Sequence, residues 1–161
     1  MLSYASIFNG DIRDQAELDI WLSALPRPLV FTNGCFDILH RGHIAYLATA
    51  SQLGASLIVG VNSDDSVKGL GKGDDRPLNR LEDRMALLSA LRVIDGVISF
   101  DSPTPLSLIE SIRPEVLVKG GDWKPADIVG AKEVQGWGGS VQSITFEYDR
   151  STTKLLEKIR S

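Results

Sequence analysis

His40 and His43 are the two histidines of this 161-residue chain, and they stand three apart in His40-Arg41-Gly42-His43. Three chemistries could use them. A zinc site would need a third ligand and usually a general base; Asp37 is the nearest candidate, and we expect no metal held by the protein itself. A Cys35–His pair would make a nucleophile, but Cys35 follows Gly34, where a small side chain is often chosen for fit. Phosphoryl-type transfer needs little covalent work from a protein: it needs positioning, and donors around the oxygens where charge develops. Two imidazole N–H donors at the start of a helix supply that. The residues before the pair, Thr32-Asn33-Gly34-Cys35-Phe36-Asp37, suit the same role. Gly34 lets backbone approach a ligand, and Gly42 leaves room beside a helix start, whose free N–H groups and dipole favour phosphate. The glycine spacing is not the dinucleotide fingerprint G-x-G-x-x-G.

Further along the chain, Lys68, Lys72, Arg76, Arg80 and Arg84 fall within seventeen positions, with Gly69, Gly71 and Gly73 among them. A solvated charged face is the ordinary explanation of such a run; next to a phosphate site it reads instead as a mobile basic loop that closes on substrate. The net charge of −4 argues against nucleic acid as a partner, and an acidic chain with one local basic stretch suits a small anion. Lys119-Gly120-Gly121-Asp122-Trp123 pairs glycines that permit close approach with an acceptor, Asp122, and an aromatic that could wall a pocket or pack in the core. Ser151-Thr152-Thr153 reads as the cap of a last helix, and a cap is already an anion site.

Something must hold these four segments together. Pro28–Asn33, Ser56–Val61, Gly96–Phe100, Val116–Lys119 and Val141–Phe146 read as strands. Helical spacing is expected over Ile44–Leu53, with Leu47, Ala48 and Ser51 on one face, over Leu81–Leu91, from Thr104-Pro105 to Arg113, over Ile128–Gln135 and over Thr152–Arg160. Asn62-Ser63-Asp64-Asp65 reads as a polar turn. Continuous apolar strands alternating with helices imply α/β architecture: a Rossmann-like, doubly wound, parallel five-stranded sheet in one domain over 1–161, with residues 1–27 as an N-terminal segment whose helix, Asp14–Leu25, packs at the sheet edge. Trp21 and Trp137 read as packing. In such sheets ligands bind at the carboxyl ends of strands near the switch in strand order, where the chemically suggestive segments fall. No apolar run reaches the roughly 20 residues of a membrane span. Cys35 is a single cysteine and no secretory signal is evident, so a cytoplasmic location is expected.

The Gly-x-Phe-Asp and His-x-Gly-His elements resemble the signature of the cytidylyltransferase-like nucleotidyltransferases. Val118-Lys119-Gly120-Gly121-Asp122-Trp123 is similar to the heptose-phosphate branch, as are Asn62 to Lys68 and Arg76-Pro77-Leu78-Asn79 with Arg84. Ser151-Thr152-Thr153 matches the family's Ser-Thr-Thr element. The resemblance implies attack of a heptose 1-phosphate on the α-phosphorus of ATP, with pyrophosphate leaving and Mg²⁺ bridging phosphate oxygens. His40 and His43, with Lys72, would be catalytic. Thr32, Asn33, Gly34, Cys35, Phe36, Asp37, Gly42, Lys119, Gly120, Asp122, Arg150, Ser151, Thr152 and Thr153 would hold the nucleotide. Lys68, Arg76, Arg80 and Arg84 would meet the acceptor or pyrophosphate. It also implies a homodimer and a place in lipopolysaccharide synthesis. One departure is Tyr148-Asp149-Arg150, where fused heptose enzymes carry Gly-Cys; Arg150 is more like the cytidylyltransferases of polyol and amino-alcohol phosphates, which remain the alternative. A nucleotide sensor without catalysis is a third reading.

Overall fold

The computed structural model describes residues 15–71, 76–145, 147–148 and 151–160. The chain runs α1 (Gln15–Ser23), β1 (Leu29–Gly34), α2 (Arg41–Ser51), β2 (Ser56–Asn62), α3 (Asp64–Gly69), α4 (Leu81–Ser89), β3 (Gly96–Phe100), α5 (Leu106–Ile112), β4 (Val116–Gly120), a 3₁₀ turn (Pro125–Asp127), α6 (Ala131–Gly136), β5 (Ser140–Ile144) and α7 (Thr152–Arg160). The five strands form one parallel sheet in the order β3-β2-β1-β4-β5, the doubly wound arrangement expected. Among the described residues no helix is long and apolar enough to cross a membrane.

Strand alternation sorts the core into two layers. Val30, Leu57, Val59 and Val61 point to one face and pack with Leu47 and Ala50 of α2 and with Met85 and Leu88 of α4. Leu29, Phe31 and Ile58 point to the other and pack with Ile109 and Ile112 of α5, Val134 of α6 and Leu18 of α1. All seven residues of β2 are buried, as a strand covered on both faces requires. Trp21 and Trp137 pack on the second layer; Trp21 lies over Gly96, where an added Cβ would fall 2.2 Å from its ring. The N-terminal helix therefore covers a sheet face, on the side of edge strand β3.

Several boundaries differ from expectation for identifiable reasons. α2 begins at Arg41, because His40 caps it by accepting a hydrogen bond from the His43 amide; His43 thus sits in the first turn. Its buried face is Gly42, Tyr46, Leu47 and Ala50, with Ala48 and Ser51 half-buried. Residues 62–65 do not merely turn: Ser63 caps α3, its hydroxyl accepting from the Ser66 amide. Pro105 takes the cap position of α5, so that helix starts at Leu106. The helix expected over 128–135 begins only at Ala131, as α6; Gly130 at φ 87 stands before it, and the residues ahead of Ile128 form the 3₁₀ turn. Asp14 and Phe146, the expected ends of two elements, lie outside the described residues.

The middle of the sheet is not fully laddered. β1 pairs with β2 along six residues but with β4 only at Val30–Val116 and Phe31–Leu117. Beyond Phe31 the two central strands part. Tyr46, 5% exposed, bridges the gap through its hydroxyl, which bonds to Thr32 on β1 and to the backbone of Gly120 on β4. Burial pushes this phenol up to about 12, with those two bonds acting the other way, so it is a neutral strut. Lys119 makes a second bridge, its Nζ donating to the Asn33 Oδ1 at 3.2 Å and the Asn33 carbonyl at 3.4 Å.

Candidate active site

The parted strands open into a cavity of about 470 Å³. Of the residues singled out in the sequence, it brings together Asn33 to Asp37, His40, His43, Arg76, Lys119, Gly120 and Ser151 to Thr153. Thr32 and Gly42 stand just behind its wall. An added Cβ on Gly42 would come within 3.1 Å of the His40 ring, so the glycine is there to let the imidazole lie down on the helix start.

The histidine rings stack on each other, centroids 3.8 Å apart and 18° from parallel. Phe36 meets His43 edge-on at 5.2 Å. Its own backbone is left-handed, φ 49, a conformation costing about 1–3 kcal/mol in a non-glycine residue. The bend carries the Phe36 ring back over Gly34, where an added Cβ would lie 3.0 Å from it. His40 Nδ1 accepts from the His43 amide at 3.4 Å, which leaves the proton on Nε2 as a donor. Burial lowers the pKa of His40. Burial, then the charge of His40, lowers that of His43 to about 4, opposed by the backbone of Ile38. Both rings are therefore neutral near pH 7 and act as hydrogen-bond donors rather than as charges. His43 Nδ1 is buried without a partner among the described residues.

The low His43 value has a consequence for stability. Unfolded, the imidazole takes a proton as pH falls through about 6.5; folded, it resists until about 4. Stability is therefore lost on acidification between those values, by about 3 kcal/mol at most. Urea melts of wild type and His43→Gln at pH 7.5 and 5 will show a smaller pH dependence in the variant; equal slopes would remove His43 as the cause.

Two ion pairs, one buried and one with a half-buried carboxylate, fix the segment 76–84 beside the cavity. The Asp37 carboxylate, 2% exposed, accepts from Arg76 Nε and from the Leu78 and Asn79 amides. Arg84 is 0% exposed; its guanidinium donates to the Asn79 carbonyl, the Cys35 carbonyl at 2.7 Å and Asp64. Arg84 was expected to meet substrate. It stands instead behind the cavity wall, because the spacing that puts Leu81, Met85 and Leu88 in the core puts Arg84 there too. Lys68, ion-paired to Asp65 on α3, and Arg80, exposed before α4, do not line the cavity. The exposed Asp122 is engaged by Thr145. Lys72, Gly73 and Arg150 lie outside the described residues. Among the described residues, Asp37 is the one acidic side chain lining the cavity. Its oxygens are taken, so these residues do not make a protein-held Mg²⁺ site.

A second cavity, about 480 Å³, shares Asn33, Gly34, Cys35, Lys119 and Gly120 with the first. Its remaining wall differs in kind: Leu70, Pro103, Pro105, Ile128, Val129 and the exposed face of Trp123 make it largely apolar, with Thr104 and Asp127 among its polar groups. The first compartment thus gathers imidazoles, hydroxyls and cationic side chains, the second a mostly apolar wall with a few polar groups, and the parted strands lie between them. The sequence reading missed Tyr46 as a strut. The available signal was a tyrosine three residues after His43, whose hydroxyl needs a partner when its ring is buried. It also missed Arg41 and Tyr148. The Arg41 Nη2 donates to the Tyr148 hydroxyl at 2.8 Å, and its guanidinium lies 3.9 Å over the ring.

A sequence profile of the family described as cytidylyltransferase-like matches residues 31–161. D-beta-D-heptose 1-phosphate adenylyltransferase of Bordetella bronchiseptica is 54% identical over 155 residues, 95% of this chain and 96% of that protein. Bifunctional protein HldE of Haemophilus influenzae is 56% identical over 132 residues; the match takes in 82% of this chain but only 28% of HldE. Among solved structures, the lipopolysaccharide core biosynthesis protein of Thermoplasma volcanium superposes with a TM-score of 0.63 at 30% identity, covering 75% of this chain and 98% of that one. Pantothenate synthetase of Thermus thermophilus, at 19% identity and a TM-score of 0.55 over 83% of this chain and 60% of its own, shares the fold.

Proposed function

The chain belongs to the cytidylyltransferase-like family, and from that premise we propose that it is a D-β-D-heptose 1-phosphate adenylyltransferase, joining AMP from ATP to the sugar phosphate to give ADP-heptose for lipopolysaccharide. The observation that carries this reading is the pair of adjoining compartments on either side of the parted strands β1 and β4. The triphosphate occupies the compartment with His40, His43 and Ser151 to Thr153, where the first turns of α2 and α7 both present N–H groups. The heptose 1-phosphate occupies the one with Trp123 and Asp127.

The reaction is an in-line displacement. A phosphate oxygen of the sugar forms a bond to the α-phosphorus, the bond from that phosphorus to the α–β bridging oxygen breaks, and pyrophosphate leaves with the electron pair. Nucleophile and leaving group must sit on opposite sides of the phosphorus, as the two compartments allow. The attacking oxygen is already anionic near pH 7, so no base has to remove a proton. The task left to the protein is to stabilise charge on the α-phosphoryl and bridging oxygens. Neutral, pre-positioned imidazole N–H groups do this without reorganising during the reaction. Asp37 is committed to Arg76 and to the backbone, so magnesium would be held by the nucleotide's own phosphates and would supply positive charge to them. The adenine preference and the homodimer rest on family likeness; competition between ATP and CTP, and sedimentation of the purified chain, test them.

The deciding experiment is pyrophosphate release with ATP or CTP against a panel of sugar and polyol phosphates. ATP with a heptose 1-phosphate is expected to give the highest kcat/KM; no turnover with any pair would overturn the enzyme reading. Trp123→Ala is expected to raise KM for the sugar phosphate roughly tenfold, the value of one stacking face, while leaving KM for ATP unchanged. Equal effects on both would move Trp123 out of the acceptor compartment.

A further inference from the structure

We propose that the stacked pair Arg41–Tyr148 is a clasp that sets the first turn of α7 against the histidine helix, and so governs the affinity for the triphosphate and for pyrophosphate. This rests on the assignment of the histidine cavity to the triphosphate. Arg41 is the first residue of α2 and Tyr148 stands three residues before Ser151. The contact has two parts: the guanidinium face lies 3.9 Å from the centre of the ring, and Nη2 donates to the hydroxyl at 2.8 Å. A planar guanidinium meets both demands at once; an ammonium does not. Behind the side chains the backbones also approach, since an added Cβ on Gly42 would lie 3.5 Å from the Tyr148 carbonyl oxygen. Tyr148 is therefore seated, by side chain and backbone, on the helix start that carries the histidines.

Among the described residues, Tyr148 is the partner that the Arg41 side chain has. A cation in the first turn opposes the helix dipole, and that turn of α2 holds no acidic residue to offset it. None of the ion pairs among the described residues involves Arg41. Neither Arg41 nor Tyr148 lines the cavity, whereas Ser151 to Thr153 do. Arg41 is thus a positioning residue, acting through the loop. The Ser151 hydroxyl accepts from the Lys154 amide, so the cap that the loop delivers is formed, and the clasp determines where it stands.

The test measures binding of ATP and of pyrophosphate, by calorimetry on the intact protein, in Arg41→Ala, Arg41→Lys, Tyr148→Phe, Tyr148→Ala and the double alanine variant. Arg41→Ala and Tyr148→Ala are each expected to weaken both ligands roughly tenfold, and the double variant no further than either alone, the non-additivity of a coupled pair. Arg41→Lys is expected to resemble Arg41→Ala. Tyr148→Phe, which keeps the ring, is expected to fall between wild type and Tyr148→Ala. KM for the sugar phosphate and the melting temperature should not move. Wild-type binding in Arg41→Lys would show that charge alone matters and overturn the clasp, as would additive losses or a lowered melting temperature that accounts for them. Should wild type bind neither ATP nor pyrophosphate, the assignment of the cavity falls instead.

Discussion

Replacing His40 or His43 with alanine is expected to lower kcat by about 10²–10³, the loss that follows removal of one pre-positioned donor from a developing oxyanion. The two variants should not behave alike in every respect. His40 caps α2 with Nδ1, so His40→Ala also loses a cap worth about 1 kcal/mol, which will appear as a small fall in melting temperature. His43 is packed between the His40 ring and the edge of Phe36 and caps nothing; its loss should register in catalysis with ATP affinity changed far less. Because the transition state carries the effect, kcat and kcat/KM should fall together. His40→Asn and His43→Gln, which return an N–H donor, are the informative companions, and each should recover part of the loss. Wild-type kcat in both alanine variants would end the assignment of these residues.

Asp37→Asn should destabilise the protein by about 3–5 kcal/mol, the cost of leaving a buried cation unpaired. Asparagine retains an oxygen for the Leu78 and Asn79 amides, so the substitution isolates the charge on Arg76, which is 7% exposed. For a chain of this length such a loss is a fall in melting temperature of roughly 6–20 °C. Arg76→Met alone should be similarly harmful, leaving the carboxylate unpaired. The double variant should cost much less than the sum, since a buried pair can be exchanged for apolar volume at little net cost. Denaturant melts of the four proteins decide the matter. A cost within about 0.5 kcal/mol of zero for Asp37→Asn, the range of an ordinary surface change, would mean that the pair holds nothing in place.

The contrast between these sites explains what was readable in the chain. The strands were legible because each is a short, continuous apolar run, and a sheet covered on both faces demands that. The histidine loop was legible because histidine occurs only at positions 40 and 43 and the pair follows a strand, and the Ser-Thr-Thr element because three hydroxyl residues in a row open a stretch of helical spacing. Within the basic stretch, charge was read as contact with a ligand, while helix geometry had already placed Arg84 beside Met85 and Leu88 on the buried side of α4. An arginine on an apolar face must find carbonyls or carboxylates, and here it finds Cys35, Asn79 and Asp64. Its role is to tie the loop after β1 to the segment before α4 and to the start of α3. Asp37 was similarly legible as important and illegible as to partner, since the residues it binds lie about forty positions away. α3, six residues long, is too short to show a period, although Ser63 with Asp64 and Asp65 is a sound cap followed by an acidic first turn. The Arg41–Tyr148 contact spans 107 positions and has no local signature.

The gap between β1 and β4 has a thermodynamic meaning. A parallel sheet gains from every rung of its ladder, yet the two central strands forgo theirs beyond Phe31 and Leu117, and two side chains, Tyr46 and Lys119, stand in the opening. Evolution has left the most valuable seam of the fold unsewn. A variant that drew the strands together would be expected to melt higher and to work worse, the trade of stability against activity seen where a site needs a strained or open scaffold. The nucleotide is then the missing thread: by occupying the opening it should raise the melting temperature with concentration and slow amide exchange first in the far halves of β1 and β4.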